Sequence, residues 1–79
     1  DMPQVLINAR VGQRKALDTI PGYDKVIKDA EAKLKGDGRL FVRFSGTEPV
    51  IRVLVEGRDR TQIGELAESI AKFLQAELA

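Results

Sequence analysis

Apolar residues alternate from Gln4 to Val11, with Val5, Ile7, Ala9 and Val11 on one face and Gln4, Asn8 and Arg10 among those opposite. Successive side chains of an extended chain point to opposite faces, so this spacing predicts a strand with one buried face. Residues 12–22 (GQRKALDTIPG) carry turn formers and charges and read as a loop with at most a brief turn. The period then changes. Tyr23, Val26, Ile27, Ala30 and Leu34 recur at helical spacing, while Lys25, Lys28, Asp29, Glu31, Lys33 and Lys35 fill the other face. This predicts an amphipathic helix with a solvated lysine-rich side, closed by Gly36 at its C-cap.

Alternation returns over residues 39–44, where Leu40, Val42 and Phe44 oppose Arg39, Phe41 and Arg43, and over 50–56, where Ile51, Val53 and Val55 share a face. The intervening Ser45-Gly46-Thr47-Glu48-Pro49 is long enough only for a tight connection between adjacent antiparallel strands. Asp59 can then cap a second helix, with Gln62 three residues on in a capping-box position. Ile63, Leu66, Ala67, Ile70, Phe73, Leu74 and Leu78 complete that helix with a continuous apolar stripe. The order β-α-β-β-α gives two helices that must each bury a stripe against one face of a mainly antiparallel sheet, so the expected class is α+β, a two-layer sandwich.

Composition narrows the chemistry. The 79 residues, 43% hydrophobic and 32% charged, suit a single domain over 1–79. A domain this small buries only about 60% of its unfolded surface, which argues against a deep enclosed site and for a ligand held on a loop or shared with another domain. Histidine and cysteine are both absent, which removes Cys/His zinc sites, disulfides, thiol nucleophiles and imidazole-based triads. Acid–base chemistry would fall to carboxylates, lysines or Tyr23, and no carboxylate pair stands out. The net charge of +1 offers no global attraction to nucleic acid or an anionic membrane, and no apolar run approaches a span. A cytoplasmic location is the default expectation. The chain opens on Asp1-Met2-Pro3 and enters a strand at once, as a piece of a longer protein would.

Candidate chemistry concentrates in Arg43-Phe44-Ser45-Gly46-Thr47-Glu48-Pro49. Gly46 permits positive φ and an inward-facing nest of backbone N–H groups, Ser45 and Thr47 offer hydroxyl donors, and Arg43 offers a fork of donors matched to a phosphate. Pro49 restricts Glu48 to extended conformations. Glu48 counts against a direct anion contact and is better suited to orienting Arg43 or Arg52, or to meeting a sugar hydroxyl. On residue types alone the segment fits an ordinary hairpin turn equally well.

Arg43-Phe44-Ser45-Gly46-Thr47-Glu48-Pro49, followed by Ile51-Arg52-Val53, resembles the R-x-S-G-T-E-P phosphate-binding signature of the α-D-phosphohexomutase family. Six fixed residues in seven agree, in a strand-loop-strand context. The opening Pro3-Gln4-Val5-Leu6-Ile7-Asn8 and Val55-Glu56-Gly57 resemble the members that interconvert glucosamine 6-phosphate and glucosamine 1-phosphate, and the likeness spans nearly the whole chain. Phe44 departs from it, since those members usually carry proline there, and members acting on glucose or mannose phosphates stay open as an alternative. The resemblance implies a four-domain enzyme with a phosphoserine and a magnesium ion on other domains. This segment would be the last domain, without catalytic residues, bound cofactor or activity of its own. It also implies phosphate contacts from Arg43, Ser45, the Gly46 backbone and Thr47; the residues themselves suggest Glu48 and Arg52 as support for the loop. Partners would be the phosphosugar and the remaining domains, with closure about a hinge near residues 1–3.

Two other readings compete. Gly38, Phe41, Val42 and Phe44 partly imitate the RNA-binding G-x-x-F-V-x-F strand, but Arg39 occupies the first stacking position and only four aromatics exist. A non-enzymatic interaction module, docking through the strands or last helix, is the other; the helix stripes are more simply core. Arg10, Arg14 and Lys15 are candidates for facing a cleft, with no geometry to place them.

Overall fold

A computed structural model describes residues 2–79. Strand β1 covers Gln4–Arg10, β2 Arg39–Phe44 and β3 Val50–Glu56; helix α1 covers Tyr23–Leu34 and α2 Arg60–Glu77. A 3-10 turn, Leu17–Thr19, interrupts the segment between β1 and α1. The sheet order is β1-β3-β2, antiparallel throughout, so β2 and β3 form the expected hairpin while β1 pairs with the last strand. Both helices cover one face, as the α+β two-layer reading requires.

Register makes the two faces explicit. On the covered face, Ala9, Ile51 and Phe44 form one cross-strand row, Ile7, Val53 and Val42 the next, and Val5, Val55 and Leu40 the third. Ile51, Val53 and Val55 lie on the central strand with helices above them and are almost wholly excluded from water. They meet Ile63, Ala67, Ile70 and Leu74 of α2 in a continuous core that Ala30 and Leu34 extend from α1. Phe44 packs against this core, as its place in the alternation predicts.

Local chemistry sets the helix ends. The Asp59 carboxylate accepts the Gln62 N–H at 3.1 Å, the predicted N-cap, worth about 1 kcal/mol. At the end of α1 the structure differs from expectation: Lys35 is the C-cap, in the left-handed region at φ 55°, and Gly36 follows at φ 78°. Two successive left-handed residues turn the chain sharply, and the Asp37 N–H closes the turn on Leu34 O at 3.1 Å. No helix among the described residues is long and apolar enough to cross a membrane. The hinge expected near residues 1–3 falls partly on Asp1, outside the described residues.

Candidate phosphate-binding loop

Beyond Phe44 and Ile51, the last paired residues of the hairpin, the chain turns over residues 45–49. The Ser45 N–H donates to Val50 O at 2.8 Å, and the Val50 N–H donates to Glu48 O at 2.7 Å, so the loop closes on itself. Among the described residues Ser45 is the buried polar one, 6% exposed. Its Oγ accepts the N–H groups of Thr47 and Glu48, both at 3.4 Å, which aims two backbone donors at a single oxygen. Gly46, Thr47 and Glu48 are exposed.

The anticipated nest is not formed by a left-handed Gly46. The glycines with positive φ are Gly22 and Gly36, and Gly46 is not among them. The loop takes its shape from the Ser45 hydroxyl and from bonds to its carbonyls. A Cβ added at Gly46 would meet nothing within 4 Å of this chain, so the missing side chain leaves open space above the loop and relieves no internal crowding.

Arg43 lies on the open face of β2, directly opposite Arg52 of β3. Residues paired this way hold their Cβ atoms about 5 Å apart, where like charges repel. Among the described residues the ion pairs are Lys25–Asp29 and Arg58–Asp37, so neither arginine is neutralised by a carboxylate. The Glu48 side chain does not orient either one through an ion pair. Arg43 and Arg52 instead line a shallow concavity with Leu6, Phe41 and Leu54, on the sheet surface rather than within the loop. Arg43, the next-to-last residue of β2, thus brings charge to the loop's edge, while Ser45, Gly46, Thr47 and Glu48 form the turn beyond it.

The remaining cations separate. Arg10 is exposed at the end of β1, where its carbonyl accepts Gln75 Nε2 at 3.2 Å, and Lys15 is exposed in the connection to α1. Arg14 is the residue that sequence reasoning left unplaced and the structure brings to the site. Its Nη2 donates to the carbonyls of Ser45 and of Glu48, the latter at 2.9 Å, and its guanidinium sits over the Phe44 ring, 5.6 Å from the centroid. Thirty-one residues separate Arg14 from Ser45, so no local pattern could have announced the contact. Tyr23 packs against the core, and its hydroxyl pKa is raised, first by burial and then by Asp24 and Glu31, so it is no base near neutral pH.

The open face also decides how the aromatics can be used. Of Tyr23, Phe41, Phe44 and Phe73, only Phe41 stands on that face, beside Arg39 and Arg43, whereas Phe44 and Phe73 pack on the core. One ring is no platform for successive bases.

This chain, an α+β domain, belongs to the family described as phosphoglucomutase/phosphomannomutase, C-terminal domain, whose model matches residues 6–73. The chain is 58% identical over all 79 residues to a phosphoglucosamine mutase of Bdellovibrio bacteriovorus and 52% identical over 77 residues to one of Methylobacillus flagellatus. It spans 17% of the length of each of these relatives, covering 100% and 98% of itself. Among solved structures it is similar to Aspergillus fumigatus N-acetylphosphoglucosamine mutase in complex with glucose 1,6-bisphosphate, with TM-score 0.81 and 30% identity over 100% of this chain and 16% of that one. The same enzyme in complex with GlcNAc-6P and magnesium superposes with TM-score 0.72 at 28% identity, again over 100% of this chain and 16% of that one.

Proposed function

We propose that this chain is the C-terminal phosphosugar-binding domain of a larger cytoplasmic mutase that interconverts glucosamine 6-phosphate and glucosamine 1-phosphate. In this reading the loop holds the phosphate that is not reacting. Arg43, Ser45, the Gly46 backbone and Thr47 supply the donors, with Arg52 adding charge from the neighbouring strand. The observation that carries the reading is the cross-strand Arg43–Arg52 pair, unneutralised by any carboxylate among the described residues, at the edge of a loop with Gly46 and Thr47 exposed and open space over Gly46. Two like charges placed face to face cost stability, and a bound dianion removes that cost. The names of the relatives support the substrate class.

The geometry suits a remote grip. Phosphate held at one end of the sugar orients the other end for transfer, so binding energy gained far from the reacting centre appears in turnover. A cradle that reads a tetrahedral anion accepts a phosphate on either carbon. Closing the domain over the cleft would exclude water from the reacting group. N–H and O–H donors beside two guanidiniums fit an anion and not magnesium, which demands oxygen ligands. Magnesium, present in one of the similar structures, belongs in this reading to the rest of the polypeptide and supplies charge stabilisation there.

The test is a titration of the ¹⁵N-labelled chain with inorganic phosphate and with glucosamine 6-phosphate. Two or three charge-assisted bonds are offset by the entropy of association, which leaves a Kd on the order of 1 mM, about −4 kcal/mol. Shifts should cluster on residues 43–48, and Arg43→Ala should abolish them while the spectrum stays dispersed. In the intact mutase the same substitution should remove most of kcat/KM. Loop amides that stay put at saturating phosphate, or an Arg43→Ala enzyme with normal kinetics, overturn the assignment.

A further inference from the structure

The proposed phosphate contacts all lie between Arg43 and Thr47; the Ser45 hydroxyl takes up the Thr47 and Glu48 N–H groups there, yet the Ser45–Gly46 peptide is fixed from outside the segment. The cause lies in the connection between β1 and α1. Arg14 Nη2 donates both its hydrogens to loop carbonyls, one on Ser45 and one on Glu48. A trans peptide points its C=O and the following N–H in opposite directions. Drawing the Ser45 carbonyl toward Arg14 therefore turns the Gly46 N–H away from it. The guanidinium also polarises that peptide, which strengthens its N–H as a donor. No carboxylate among the described residues pairs with Arg14.

Arg14 is itself held from behind. The Val11 N–H donates to Pro49 O at 2.9 Å, and the N–H groups of Gly12 and Gln13 both donate to Leu78 O, at 2.7 and 3.1 Å. Gln13 Nε2 adds a bond to Ala79 O at 3.1 Å. The approach is so close that a Cβ on Gly12 would lie 2.7 Å from the Ala79 carbonyl carbon, which only glycine permits. Residues 11–14 thus form a strut between the end of α2 and the back of the loop, and stacking on Phe44 sets the angle of the guanidinium.

We propose that Arg14 is a positioning residue of the phosphate loop, ordering it through the Ser45 and Glu48 carbonyls without touching the anion. This rests on the phosphate reading above and adds to it the residue that prepares the loop.

Arg14→Met keeps the aliphatic stem and removes charge and donors; Arg14→Lys keeps the charge and an ammonium able to donate. Backbone order of residues 45–48 is measured first by ¹⁵N relaxation without phosphate, and inorganic phosphate is then titrated. Arg14→Met should disorder the loop while β3 and α2 keep their order, and should weaken phosphate binding about tenfold, because the loop must then be ordered at the expense of binding. Arg14→Lys should recover part of both, and it carries the comparison alone if Arg14→Met fails to fold. Wild-type affinity in Arg14→Met overturns the proposal. So does weakened binding with an unchanged loop, because Arg14 would then act by charge or direct contact. A wild-type chain that shows no phosphate shift overturns the phosphate reading instead, and the two failures are distinguishable because loop order is recorded before phosphate is added.

Discussion

The two faces of this sheet are built from the same three strands and obey opposite rules. Toward the helices, Ile51, Val53 and Val55 of the central strand are flanked on both sides by apolar partners and are shut off from water. One position away along each strand, the outer face carries the rows Asn8–Arg52–Arg43 and Leu6–Leu54–Phe41, with Leu6 55% and Phe41 49% exposed. The covered face resolves every contact it makes. The open face leaves two cations opposed and two large apolar side chains in water. A surface that is poor for the isolated domain is one shaped for something outside it, and in the proposed mutase that is the phosphosugar and the remaining domains.

This contrast can be broken most severely from the core side. Ile51→Ala removes a side chain with no exposure, and should cost about 2–5 kcal/mol, much of the total stability of a small domain. A chemical denaturation midpoint within error of wild type would show that the covered face is not the main source of stability. A smaller effect of opposite sign is expected at Arg52. Replacing it with glutamine relieves the repulsion with Arg43 and should raise stability by about 0.5 kcal/mol while weakening phosphate binding. The gain should vanish at high salt, and a loss of stability on Arg52→Gln would mean that the pair is compensated in the free chain. The smallest effect belongs to Leu6→Gln on the open face, which should shift stability by less than about 0.5 kcal/mol in this chain. A loss as large as that of Ile51→Ala would make the two faces energetically alike.

Within the hairpin loop, the structure changes the reasons more than the residues. A left-handed Gly46 was the expected route to inward-facing amides; instead a buried serine hydroxyl gathers two of them, and Arg14 holds the Ser45 and Glu48 carbonyls. Glu48 was expected to steer an arginine through its carboxylate. It meets one through its backbone carbonyl, and the arginine is Arg14.

All the regular elements and their buried faces were readable in the chain, because a period of two or of 3.6 is imposed by backbone geometry and needs no knowledge of what lies opposite. The hairpin followed from a connection too short for any other path, and the phosphate signature from residues contiguous in sequence. The strand order was not readable: β1 could have joined either edge, and only burial beneath α2 decides that it pairs with β3. Nor was the role of Arg14, a contact between distant residues made when the strut docks on Leu78 O. Local periodicity determines which face of each element is apolar, whereas the meeting of residues far apart in the chain depends on how the elements pack, a three-dimensional fact that no window of sequence contains.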